Sequence, residues 1–198
     1  MREDRLSAAA LSQHHVVTAT VRQAASAADI ALARTLMLEY ADSLNVDLCF
    51  QDFASELAGL PGAYAPPRGR LLLAGMPGAA FGCIALRPLA GWPDESLAPT
   101  PVGEVKRLYV QPEQRAGHWG RRLSEALIAD AQAIGFRELK LDTLARMTAA
   151  RALYAQLGFR ECAAYYVNPL PEVVYMSLTL PAFEPAPRRE PAASRPCS

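Results

Sequence analysis

The chain has 198 residues, 51% of them hydrophobic, and 20 basic side chains balance 20 acidic ones for a formal net charge of zero. That length suffices for one domain with a sizeable core, and the balanced charge, free of blocks of one sign, argues against a nucleic-acid footprint or an anionic membrane surface, so the expected partner is small. Cys49, Cys83, Cys162 and Cys197 form no CxxC and only three histidines are present, so no metal site and reduced thiols are expected; with no membrane-length apolar run and no signal-peptide pattern, a cytosolic protein is expected.

Residues 1–16, including His14 and His15, lack periodicity and read as a loose leader. Val17 to Arg22 alternates and predicts a first strand. Ser26 is placed to N-cap a helix from Ala27 to Leu44, with Ile30, Ala33, Leu36, Met37 and Tyr40 on one face. A second helix is expected over Gln51 to Leu60, stopped by Pro61. The Pro- and Gly-rich stretch Pro61 to Arg70 is a loop that either connects or lines an acceptor pocket.

Leu71 to Ala74 and Phe81 to Leu86 flank Met76, Pro77 and Gly78 as a hairpin, and a loop with Pro93, Pro99 and Pro101 leads into a central strand. Leu123, Leu127, Ala131 and Ile134 mark one face of a helix that Gly135 ends. Leu139, Leu141 and Thr143 form another strand. Ala150, Leu153 and Leu157 recur at helical spacing before Gly158, and Val174 to Leu180 is a final strand. The order β-α-α-β-β-β-α-β-α-β is that of an α/β fold, a mixed central β-sheet with flanking helices, over residues 17–180; residues 181–198 read as a Pro-rich disordered tail.

The stretch from Glu104 to Leu127 organises the rest. A strand (Val105, Tyr109, Val110) breaks at Pro112, turns through Gly117 and Gly120, and enters a helix, which presents free amides and the positive end of the helix dipole to an anion such as a pyrophosphate. Neither GxGxxG nor GxxxxGK followed by Ser or Thr is present. Val105 and Leu108 can both face the core only if an extra residue, a β-bulge, lies between them, since Leu108 and Val110 keep period two.

Arg115, two residues, His118, one residue and Gly120 resemble the acetyl-CoA loop of the GNAT superfamily of N-acetyltransferases, with His118 where that pattern has its first glycine and Gly117 displaced by one. His118 either is a solvent-facing loop residue or, protonated, adds a contact to phosphate; Trp119 reads as an apolar plug. Ala150 to Phe159, ARALYAQLGF, is similar to the family's Ala, Leu-Tyr, Gly-Phe signature, while Met147 stands where many members carry asparagine and Thr148 is its candidate substitute. The strings DTLARMTAARALY, YYVNPLPEVVYMSL and VDLCFQDF resemble a bacterial subgroup of the family.

The resemblance implies the GNAT fold with a β-bulge in its central strand, acetyl-CoA as cosubstrate, and cofactor contacts from Leu108, Tyr109, Val110, Arg115, Ala116, Gly117, His118, Trp119, Gly120 and Arg121. It implies Glu104 as general base, against a reading as a solvated strand-end carboxylate, and Tyr154 as general acid near the CoA sulfur, against a reading as a core residue. Arg107, Tyr165, Tyr166 and Asn168 are the candidate acceptor contacts, with Arg107 pairing a carboxylate on the acceptor. The expected activity is acetyl transfer to the amine of a small molecule by direct attack in a ternary complex. The alternatives are a protein or peptide N-acetyltransferase and a non-catalytic CoA-binding module, and a homodimer is compatible with any of them.

Overall fold

The computed structural model describes residues 18–44, 52–89 and 101–182. The expected leader, the tail beyond residue 182, the 45–51 connection with Asp47 and Cys49, and most of the 88–101 loop lie outside the described residues. Seven strands form one sheet: β1 (Thr20–Gln23), β2 (Arg70–Met76), β3 (Ala79–Pro88), β4 (Val102–Val110), β5 (Glu138–Leu144), β6 (Arg160–Glu161) and β7 (Val173–Thr179). Their spatial order is β1-β2-β3-β4-β5-β7-β6, antiparallel throughout except for the β4–β5 pair. Among the described residues the α-helices are α1 (Ala27–Leu44), α2 (Phe53–Ala58), α3 (Trp119–Ile134) and α4 (Thr148–Gln156).

Strand alternation sorts the apolar side chains into two cores. From β2, Leu72 and Ala74 join Leu123, Leu127 and Tyr154 beneath α3 and α4, whereas Leu71 and Leu73 join Ala33, Leu36 and Met37 beneath α1. The helices begin and end as their chemistry dictates. The Ser26 hydroxyl accepts from the Asp29 amide (3.1 Å) while the Asp29 carboxylate accepts from the Ser26 amide (3.2 Å), a reciprocal cap on α1. At the far end of α3, Gly135 takes φ +104°, and the Phe136 amide reaches back to the Ala131 carbonyl, which closes the helix and drops Phe136 into the core.

The first strand starts three residues later than alternation implied, and the two-residue β6 has no counterpart in the sequence reading because so short a segment carries no periodicity. The stretch after Pro112 is a 3-10 turn over Pro112–Gly117 rather than an open loop. The Pro61 to Arg70 segment buries Tyr64 in the α1-side core.

Candidate active site

Strands β4 and β5 run together for only three pairs, Val102 with Glu138, Gly103 with Leu139 and Glu104 with Lys140. Beyond Glu104 they part. The cause lies on the other edge of β4: Cys83 pairs with Tyr109 and Ala85 with Lys106, so Arg107 and Leu108 together oppose Ile84. This is the expected bulge. Arg107 sits in it at φ +59°, and the extra residue resets the alternation so that Val105, Leu108 and Val110 all face the α3 and α4 core.

Two adjoining cavities open where the strands diverge, with Lys106 and Arg107 in the walls of both. The larger, about 350 Å³, is bounded by Arg87, Glu104, Tyr165, Tyr166 and Pro169. Glu104 is only 3% exposed. One of its oxygens accepts from Arg87 through Nε (2.7 Å) and a second guanidinium nitrogen (2.7 Å); the other accepts from the Tyr165 hydroxyl (3.1 Å) and lies 3.6 Å from Lys106 Nζ. Lys106 also donates to Asp142 (2.9 Å), and the Asn168 amide links Asp142 (3.3 Å) to the Tyr166 hydroxyl (2.8 Å). Glu104, Tyr165 and Tyr166 thus share the wall of the larger cavity, with Asn168 tied to it through the Tyr166 hydroxyl and, by way of Asp142, to Lys106.

Tyr154 lines the smaller cavity, about 60 Å³, with Leu108, Asp142, Thr143 and Met147. Its phenol makes no hydrogen bond among the described residues. Burial first, then the neighbouring Tyr40 and Asp142, holds its pKa well above the ordinary tyrosine value, so the group remains a proton carrier across the working range. Burial likewise pushes Tyr40 up to about 12. Met147 precedes α4 and accepts a weak contact from the Thr143 hydroxyl at 3.7 Å, and Thr148, its proposed substitute, is exposed at the first position of that helix.

At the other end of β4, Arg115 Nε donates to the Val110 carbonyl (3.0 Å) and pins the 3-10 turn to the strand. His118 adopts φ +56° and ψ +25°, the left-handed conformation that suits glycine, and its carbonyl accepts the first α3 hydrogen bond from Arg122. The amides of Trp119, Gly120 and Arg121 find no backbone acceptor among the described residues, so they are available to an anion. Trp119 is buried edge-on against Phe81 (5.1 Å) with Arg122 over its ring (4.5 Å). Gly117 makes room for that indole, because a Cβ at this position would stand 2.7 Å from the Trp119 ring nitrogen.

Two site expectations change. Arg107 is not available to an acceptor carboxylate, because both prongs of its guanidinium are held by Glu56 at 2.9 and 2.6 Å, with Phe53 stacked at 4.8 Å. Gly120 is not a turning glycine; it lies in the first turn of α3, where a Cβ would meet only Leu153 at 3.5 Å. Among the described residues, the Pro61 to Arg70 loop supplies no side chain to the wall of the larger cavity. Sequence reasoning passed over Arg87, Lys106 and Asp142. Lys106 was within reach, since it shares a strand face with Glu104 two residues away.

Residues 33–159 match the Acetyltransferase (GNAT) family. An uncharacterized N-acetyltransferase of Schizosaccharomyces pombe is 37% identical over 148 residues, covering 74% of this chain and 86% of the relative. Among solved structures, a GNAT-family acetyltransferase from Staphylococcus aureus superposes with a TM-score of 0.65 at 16% identity, covering 83% of this chain and all of that one. A phosphinothricin acetyltransferase from Sinorhizobium meliloti in complex with AcCoA superposes with a TM-score of 0.57 at 20% identity, covering 82% and 89%. With its bulged β4 parting from β5 and its free amides at the start of α3, the chain belongs to the GNAT acetyltransferase family.

Proposed function

We propose that the protein transfers acetyl from acetyl-CoA to the primary amine of a small molecule, by direct attack while both substrates are bound. The observation that carries this reading is the parting of β4 from β5, which leaves Glu104 in the wall of one cavity and Tyr154 in the wall of the next. The residues present fit a CoA thioester. The Trp119 to Arg121 amides, with the Arg115 and Arg121 guanidinium groups nearby in sequence, suit its pyrophosphate, and the backbone of Leu108 and Val110 suits the pantetheine arm and acetyl carbonyl. Bound there, acetyl-CoA supplies the acetyl group in activated thioester form.

Glu104 accepts a proton from the acceptor ammonium, which frees the nitrogen lone pair to form the new C–N bond. As the C–S bond breaks, Tyr154 gives its phenolic proton to sulfur, and the second proton that the nitrogen sheds as the amide forms restores the phenol. Asn168, Tyr165 and Tyr166 shape the acceptor side, and the wall they form favours a small amine over a peptide. The test is thiol release from acetyl-CoA against a panel of small amines and lysine peptides, run with Glu104→Gln and Tyr154→Phe. Turnover of small amines that both substitutions suppress supports the assignment. Preference for the peptides, or turnover within a few-fold of wild type in both variants, overturns it.

A further inference from the structure

Resting on the acetyl-transfer reading, we infer that the acceptor is an α-amino acid whose carboxylate is gripped by Arg87 while its ammonium faces Glu104. Arg87 spends Nε and one terminal nitrogen on a single Glu104 oxygen, which leaves its third nitrogen with no partner among the described residues. Its side chain is 35% exposed and lines the larger cavity. The other two cations in that wall are ion-paired and buried, Arg107 on Glu56 with 3% of its side chain exposed and Lys106 on Asp142 with 7%. Arg87 is therefore the cation of that wall whose unpartnered nitrogen sits on an exposed side chain.

The geometry selects the ligand class. A guanidinium and a carboxylate in direct contact at 2.7 Å present plus and minus poles side by side. The ammonium and carboxylate of an α-amino acid are separated by one carbon, so they can meet such a pair head to tail, each pole on its opposite. A simple amine satisfies only Glu104 and leaves the spare Arg87 donor unused. The remaining wall, with the Tyr165 and Tyr166 rings, Leu89, Val167 and Pro169, suits an apolar or aromatic side chain of the size that about 350 Å³ holds.

The test is calorimetric titration of the CoA-saturated protein with L-leucine and L-phenylalanine, each against its decarboxylated amine, isopentylamine and phenethylamine. The amino acids are expected to bind at least 10-fold more tightly than the amines. Arg87→Met is expected to close that gap, and Arg87→Lys, which keeps the charge without the fork, to close it in part. Equal or tighter binding of the amines, or no amino-acid binding at millimolar concentration by the wild-type protein, overturns the inference without needing a variant. Thiol release separates this from the transferase reading: turnover of amines without amino-acid binding retains the transferase and removes the amino acid.

Discussion

Arg107 and Glu56 meet across 51 residues of chain as a two-pronged ion pair, 2.9 and 2.6 Å, that ties helix α2 to the bulge of β4. Burial opposes the charge on each partner, but the paired hydrogen bonds outweigh it, so Glu56 is held below and Arg107 above its ordinary pKa. Tyr64 adds a third contact, its hydroxyl donating to Glu56 at 2.9 Å. Removing one partner strands the other in a site that is 3% exposed at Arg107. Glu56→Ala is expected to destabilise the fold by roughly 3–5 kcal/mol. Pairing it with Arg107→Met should recover much of that loss, as read from urea denaturation midpoints at constant m-value.

Tyr154→Phe keeps the ring against Phe159, 5.5 Å away, and removes only the hydroxyl. A drop in kcat on the order of 10²- to 10³-fold is expected, with acetyl-CoA affinity little changed. Because the phenol is held above its ordinary value, the wild-type rate should show no decline attributable to tyrosine ionisation as pH approaches 10. Steady-state kinetics across pH 6 to about 10 on both proteins check this.

His118→Gly replaces a side chain held at φ +56° by the residue that adopts this conformation freely. Relief of left-handed strain, partly offset by the greater entropy of unfolded glycine, should stabilise the protein by about 1 kcal/mol. Calorimetric titration with acetyl-CoA reads the second effect: tighter binding in the variant means the imidazole narrows the loop, weaker binding means it contacts phosphate.

Asp29 caps α1 and accepts from Arg22, and although burial works against its charge, these hydrogen bonds hold its pKa at about 2. The folded value lies below the unfolded one, so its contribution is complete above about pH 5 and is lost as pH falls toward about 2. Asp29→Ala should cost about 1 kcal/mol at neutral pH and flatten that part of the acid-unfolding curve. Thermal melts of both proteins between pH 7 and about 3 test the sign.

The periodicities, caps and breakers that set α1, α3, the hairpin and the bulge are local, and each can be seen in the sequence because a strand or helix period fixes which side chains share a face. The loop from Arg115 to Gly120 and the tyrosine of ARALYAQLGF stood out in another way, by their resemblance to the patterns of the GNAT family. What the sequence left open was which charges meet. Glu104 stood out by its place on the strand, but its bonds to Arg87 and Tyr165 come from β3 and from the segment before β7, 17 and 61 residues away. Arg107 looked free to bind a ligand until the fold brought α2 against it. Ion-pair partners depend on strand register and helix docking, which hydrophobic burial decides over the whole chain; only the assembled sheet leaves Arg87 exposed at the larger cavity while Arg107 is buried against Glu56.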